Sequence, residues 1–125
     1  MARLVDILLV DDFAPWRDQL RSVLSTRPQW NIVGEACDGR EAIEKASEMQ
    51  PDIILLDIGM PSMNGIEAAK IIYQRCPKSK ILFLTQEAGS DVRDAAMRAG
   101  AAGYLLKTNT GNELLGAIAA AISNS

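Results

Sequence analysis

Short apolar runs alternate along this chain with longer stretches in which apolar residues recur at helical spacing. A continuous apolar run of a few residues suits a strand, whereas recurrence at i, i+3, i+4 and i+7 suits an amphipathic helix. The runs predict strands at about 4–10, 31–36, 52–57, 80–84 and 102–106. The first, third and fourth are apolar throughout, as in Ile7 to Val10 and Ile53 to Leu56, so they belong at the centre of a sheet covered on both faces. The second, Asn31-Ile32-Val33-Gly34-Glu35-Ala36, is more polar and carries a glycine, which suits an edge.

Helical spacing places Trp16, Leu20, Val23 and Leu24 on a first helix before Arg27-Pro28, and Ala42, Ile43, Ala46 and Met49 on a second before Pro51. Asn64 can cap a third helix over about 65–75, stopped by Pro77, and Ser90 can cap a fourth that ends at Gly100. A fifth is expected to begin near Asn109 and to present Leu114, Ile118, Ala121 and Ile122 on one face. Strictly alternating strands and helices mean βαβ units and a parallel sheet, and crossovers between parallel strands are nearly always right-handed. Five units are too few for a barrel of eight. The predicted fold class is therefore α/β, a flavodoxin-like (βα)5 doubly wound parallel sheet with strand order 2-1-3-4-5.

A length of 125 residues fits one domain over 1–125. With 48% hydrophobic and 23% charged residues the chain is too apolar for disorder. None of its apolar runs approaches the roughly 20 residues needed to cross a bilayer, and Arg3 and Asp6 interrupt what would have to be a signal peptide, so the cytoplasm is the expected location. Cys37 and Cys76 lack the spacing of a metal or redox pair, and without histidine no zinc site is completed. A net charge of −3 with scattered basic residues offers no footprint for nucleic acid, so no DNA binding is expected of this chain alone. The tail Ile122-Ser123-Asn124-Ser125 reads as the frayed end of the last helix, or as the point where a longer protein was cut.

In an open α/β sheet, ligands bind outside the carboxyl ends of the strands where the strand order reverses. The first strand ends in Asp11-Asp12, the third in Asp57, the fourth in Thr85 and the fifth in Lys107. An aspartate after a strand is often only a helix cap and a loop lysine is usually solvated, but five such groups at four strand ends converge. Carboxylates crowded together raise one another's pKa unless a cation intervenes. Oxygen ligands without histidine or thiolate select Mg²⁺ or Mn²⁺ over zinc. A carboxylate beside such an ion can act as a nucleophile towards phosphorus, with the Lys107 ammonium and the Thr85 hydroxyl neutralising and positioning the transferred group.

The segments Leu9-Val10-Asp11-Asp12, Leu56-Asp57-Ile58-Gly59-Met60-Pro61-Ser62-Met63-Asn64-Gly65, Leu84-Thr85 and Gly103-Tyr104-Leu105-Leu106-Lys107 resemble the motifs of response-regulator receiver domains. The resemblance runs the whole length of the chain. The Met-Pro-x-Met-Asn-Gly pattern after Asp57 and the ending Ala-Gly-Tyr-Leu-Leu-Lys are similar to the NarL/LuxR-type subfamily, whose receivers usually precede a helix-turn-helix DNA-binding domain. What the resemblance implies is two-component signalling: Asp57 accepts a phosphoryl group from a sensor histidine kinase, and Asp11 and Asp12 hold Mg²⁺ together with Asp57 and the Gly59 carbonyl. Lys107 pairs with the phosphoryl oxygen, Thr85 moves towards it, and Tyr104 is an aromatic switch. It also implies an output in transcription and allows a homodimer. Such a domain catalyses its own phosphorylation and dephosphorylation without being a conventional enzyme.

The pattern departs from the family at three positions. Gln86 stands where a small residue is common, Glu87 brings a carboxylate towards the acceptor, and Thr108 replaces a common proline, which makes a cis peptide after Lys107 less assured because a non-proline cis bond costs about 3 kcal/mol. The first two put the lifetime of the acyl phosphate in question. Rival functions fit less well. A flavin carrier needs a Ser, Thr and Gly-rich phosphate loop where Asp11-Asp12-Phe13-Ala14-Pro15 stands, a phosphohydrolase needs a second acid where Gly59 stands, and a phosphate-independent pseudo-receiver has no need of the complete acceptor set.

Overall fold

The computed structural model describes residues 3–86, 89–108 and 111–123. Five strands alternate with five helices: β1 (Val5–Val10), α1 (Ala14–Leu24), β2 (Trp30–Ala36), α2 (Gly39–Met49), β3 (Ile53–Asp57), α3 (Gly65–Arg75), β4 (Lys80–Thr85), α4 (Ser90–Arg98), β5 (Gly103–Leu106) and α5 (Asn112–Ser123). All strand pairs are parallel, in the order β2-β1-β3-β4-β5. The expected fold class, order and central strands are those observed, and each strand boundary lies within a residue of its predicted place. Among the described residues no helix is long and apolar enough to cross a membrane.

The apolar runs lie at the centre because both of their faces are covered. Leu8, Val10, Ile54, Leu56, Ile81 and Phe83 point to the side of α2, α3 and α4, while Ile7, Leu9, Ile53, Leu55, Leu82 and Leu84 point to the side of α1 and α5. Each such side chain, removed wholly from water, contributes about 1.5–3 kcal/mol before the entropy of ordering it is subtracted. In β2 the register slips beside Gly34: Ile7 pairs with Ile32 but Leu8 with Gly34, so Val33 is bulged out. A bulge there agrees with the polar, glycine-bearing pattern that assigned β2 to an edge.

The helix starts follow local chemistry. Asn64 caps α3 as expected, its side-chain oxygen accepting from the Glu67 N–H at 3.0 Å. Asp38 caps α2 in the same way, accepting from the Glu41 N–H at 2.8 Å, while the Glu41 carboxylate accepts from the Cys37 N–H at 2.7 Å. The cap expected of Ser90 is not formed. Gly89 holds the capping position and no side chain bonds to the free N–H groups, because the chain is already helical at Ser90 and its hydroxyl arrives one residue too late. Gly100, at φ +100°, turns the chain out of α4, and the Tyr73 hydroxyl donates to its carbonyl at 2.6 Å. The expected start of the fifth helix at Asn109 lies outside the described residues.

Gly65 opens α3 directly beneath the carboxyl end of β3. Its N–H donates to the Ile58 carbonyl at 2.9 Å, and a Cβ at this position would run into the Asp57 carbonyl oxygen and lie 2.9 Å from Ile58 Cα. Both obstacles are backbone, so neither can turn aside. Gly65→Ala is expected to cost about 2–3 kcal/mol by overpacking, measured as a lower urea midpoint at unchanged slope. A midpoint equal to the parent's would show that α3 can shift freely against β3.

Candidate functional site

The carboxyl ends of β1, β3, β4 and β5 bring together every side chain singled out at the strand ends. Asp57 is the last residue of β3 and Thr85 the last of β4, both buried, while Asp11 and Asp12 follow β1 and Lys107 follows β5. Backbone bonds hold these ends level: the Lys107 N–H donates to the Thr85 carbonyl at 2.8 Å and the Asp11 N–H to the Ala36 carbonyl at 3.0 Å. Asp11 is buried and Asp12 exposed. The Asp11 carboxylate also accepts from the Phe13 N–H at 2.9 Å, which turns the chain into α1. From α1, Arg17 donates both to the Asp11 carbonyl and, at 2.7 Å, to Glu35 on β2. Arg21 binds the other Glu35 oxygen, and its guanidinium, with that of Arg17, holds the Glu35 carboxyl below the usual carboxylate range.

One oxygen each from Asp11, Asp12 and Asp57 lie within 4.8 Å of one another. Lys107 Nζ is 2.6 Å from Asp11 Oδ2 and 3.6 Å from Asp57 Oδ1, with the lysine side chain only 13% exposed. Burial pushes the Asp57 carboxyl above its ordinary range and the Asp11 charge pushes it further, while Lys107 and a hydrogen bond from the Gly59 backbone pull the other way. These groups, with Gly59 and Thr85, line an open cleft of about 350 Å³. A roomier cleft of about 440 Å³ opens at the opposite end of the sheet among Arg3, Asp52, Lys78, Lys80 and Ile122. It gathers no comparable set of carboxylates, so chemistry rather than size selects the site.

The donor set suits a hard divalent cation. Every candidate ligand is an oxygen, three carboxylates face one another, and Asp57 is left with a raised proton affinity although Lys107 is paired with both Asp11 and Asp57. Gly59 is exposed at the rim of the cleft, with open space where a side chain would project. Tyr104 is half-buried on β5, in register with Phe83, and packs against the cluster under α2, α3 and α4. Gln86 is exposed and lines the cleft, and the peptide after Lys107 is trans, since no described bond is cis. Glu87 lies outside the described residues.

The structure adds residues that the sequence reading assigned only to packing or left aside. Trp16 was expected solely as an apolar residue of α1, yet Lys107 Nζ lies 5.3 Å from the centre of its ring. Arg17, unremarked in the sequence, fixes the Asp11 backbone. The signal available in advance was position: both sit in the first turns of the helix that follows Asp11-Asp12.

With this geometry established, the likeness to known proteins falls into place. Residues 7–119 match the family described as Response regulator receiver domain. The chain is 38% identical over 115 residues to the transcriptional regulatory protein LnrK of Bacillus subtilis (strain 168), covering 92% of this chain and 52% of that protein. It is 40% identical over 118 residues to the transcriptional regulatory protein LiaR of the same organism, covering 94% and 56%. The chain thus spans about half the length of these relatives. Among solved structures it superimposes on a two-component response regulator of the LuxR family from Aurantimonas sp. SI85-9A1 with a TM-score of 0.92 and 36% identity, covering 97% of this chain and 86% of that one. The chain belongs to the response regulator receiver domain family, and within it to the NarL/LuxR type.

Proposed function

We propose that this domain takes a phosphoryl group from a sensor histidine kinase onto Asp57 in an Mg²⁺-dependent reaction and changes conformation to control transcription. The observation that carries the reading is the cluster of three carboxylates and one buried lysine at the strand ends, around an aspartate left partly uncompensated. An Asp57 oxygen attacks phosphorus as the bond to the kinase imidazole breaks. Asp11, Asp12, Asp57 and the Gly59 carbonyl would hold the ion, which when bound neutralises charge on the phosphoryl oxygens. Lys107, already 3.6 Å from Asp57, is placed to pair with a transferred oxygen, and Thr85 stands level with it at the end of β4. Incubation with acetyl phosphate and Mg²⁺ is expected to add one phosphoryl group by intact mass and none in chelator. Absence of any adduct with Mg²⁺ present would sink the reading.

The switch we assign to Thr85 and Tyr104. A phosphoryl group adds up to about two negative charges and three acceptor oxygens, which can draw the Thr85 hydroxyl inward, and Tyr104 is the large side chain beside the space this vacates. The neighbouring end of α4 and its cap carry the small residues Ala95, Ala96 and Ala99 and little bulk to lock it. Hydrogen exchange with and without beryllofluoride is expected to change over residues 86–108 and to change little over residues 38–50. Equal change in both would show a global effect instead. We further assign to this chain one receiver domain of a longer cytoplasmic regulator, in which a separate helix-turn-helix domain binds DNA and a homodimer can form.

A further inference from the structure

We propose that Trp16 is a positioning residue for Lys107: its indole face is the seat that keeps the ammonium beside Asp57 when the neighbouring carboxylates are engaged elsewhere. The inference deepens the phosphoryl-acceptor reading and rests on it for its functional consequence. Lys107 enters the site from the end of β5 with three close neighbours: Asp11 at 2.6 Å, Asp57 at 3.6 Å and the Trp16 ring at 5.3 Å from its centroid. The last distance falls within the range over which a cation is held by the negative face of an aromatic ring. Both carboxylates are also the oxygens that a divalent ion would claim. The ring is the one partner of the three for which no metal competes.

Trp16 is itself firmly placed. It lies in the first turn of α1, where its N–H donates to the Phe13 carbonyl at 3.1 Å, and it packs against the apolar cluster beneath α1 and α5. Its indole Nε1 is buried and has no hydrogen-bond partner among the described residues. A buried donor without an acceptor is a cost, so hydrogen bonding gives no reason for tryptophan here. A leucine would fill part of the space, as at Leu20 and Leu24 further along the helix, but it offers no negative face. What tryptophan contributes is that face, turned to the ammonium.

The chain has two tryptophans, and the second supplies an internal control. Trp30 sits at the opposite end of the sheet with Arg27 5.4 Å from its ring. In metal-free protein, Lys107→Met is expected to move the indole N–H resonance of Trp16, identified by its loss in Trp16→Phe, and to leave that of Trp30 in place. In the acceptor reaction with acetyl phosphate and Mg²⁺, Trp16→Leu is expected to slow phosphorylation by on the order of three- to thirtyfold. Trp16→Phe, which keeps a π-face and discards the orphan N–H, is expected to recover most of the rate, and Mg²⁺ affinity should be the same in all three proteins because the ring donates nothing to the ion. An unmoved Trp16 resonance, a Trp16→Leu rate equal to the parent's, or a Trp16→Phe rate as low as that of Trp16→Leu would each overturn the inference. If the parent itself took up no phosphoryl group, the acceptor reading would fall, and the resonance shift alone would decide whether the indole seats the lysine.

Discussion

Asp57→Asn is expected to take up no phosphoryl group from acetyl phosphate and Mg²⁺ under conditions in which the parent does, and to be more stable than the parent in metal-free buffer near neutral pH. The two effects have one origin. Asp57 is buried at the end of β3 beside Asp11 and Asp12, and its carboxyl titrates above the ordinary aspartate range because burial and the Asp11 charge outweigh the help of Lys107. Its folded pKa exceeds its unfolded value of about 3.9. Between those two values the folded state binds more protons than the unfolded one, so the contribution of Asp57 to stability is largest below the unfolded pKa and declines as pH rises through the folded pKa. Asparagine keeps the shape, cannot ionise and removes that decline. Melts in chelator across a pH series should show the variant gaining on the parent towards neutral pH and converging with it in acid. A retained phosphoryl adduct would move the acceptor to another residue, and a variant less stable than the parent at neutral pH would refute the crowded-carboxylate account.

Lys107→Met is expected to be the most destabilising single change in the site. Methionine replaces the stem but not the ammonium that lies 2.6 Å from Asp11 Oδ2 and 3.6 Å from Asp57 Oδ1. Asp11 and Asp57 are almost wholly shielded from solvent, so their charges would lose the ammonium that pairs with both. Removing one partner of a buried ion pair typically costs about 3–5 kcal/mol, and the low end applies here because Asp12 is exposed and the cleft is open. For a domain of this size about 3 kcal/mol corresponds to roughly 10 °C in melting temperature. The deficit should be full near neutral pH in chelator and shrink as pH falls through the raised pKa of Asp57, which rises further once Lys107 no longer opposes it. Saturating Mg²⁺ should restore part of it by mass action on the folded state. Equal melting of variant and parent in chelator at neutral pH would mean that the ion pair contributes nothing.

The alternation of apolar runs with helical periods was enough to place all five strands, and continuous burial of the first, third and fourth was enough to centre them, because side-chain periodicity records which faces are covered. Asn64 declared the start of α3 because a cap is a local device, satisfied within three residues. The gathering of Asp11, Asp12, Asp57, Thr85 and Lys107 was also legible, since parallel strands end on one edge and polar residues stood out against apolar runs. Tertiary structure decided the rest. Ser90 had the chemistry of a cap, but the helix has already begun there and Gly89 holds the capping position. Gly65 looked like part of a motif, and only the approach of its backbone to Asp57 and Ile58 shows why a side chain is excluded. Arg17 and Arg21 reach Glu35 from another element, and Trp16 meets Lys107 across 91 positions of sequence. Periodicity states that a residue is buried. Which atoms it is buried against is settled by packing between elements distant in sequence, and on those atoms depend the raised pKa of Asp57 and the seating of its lysine.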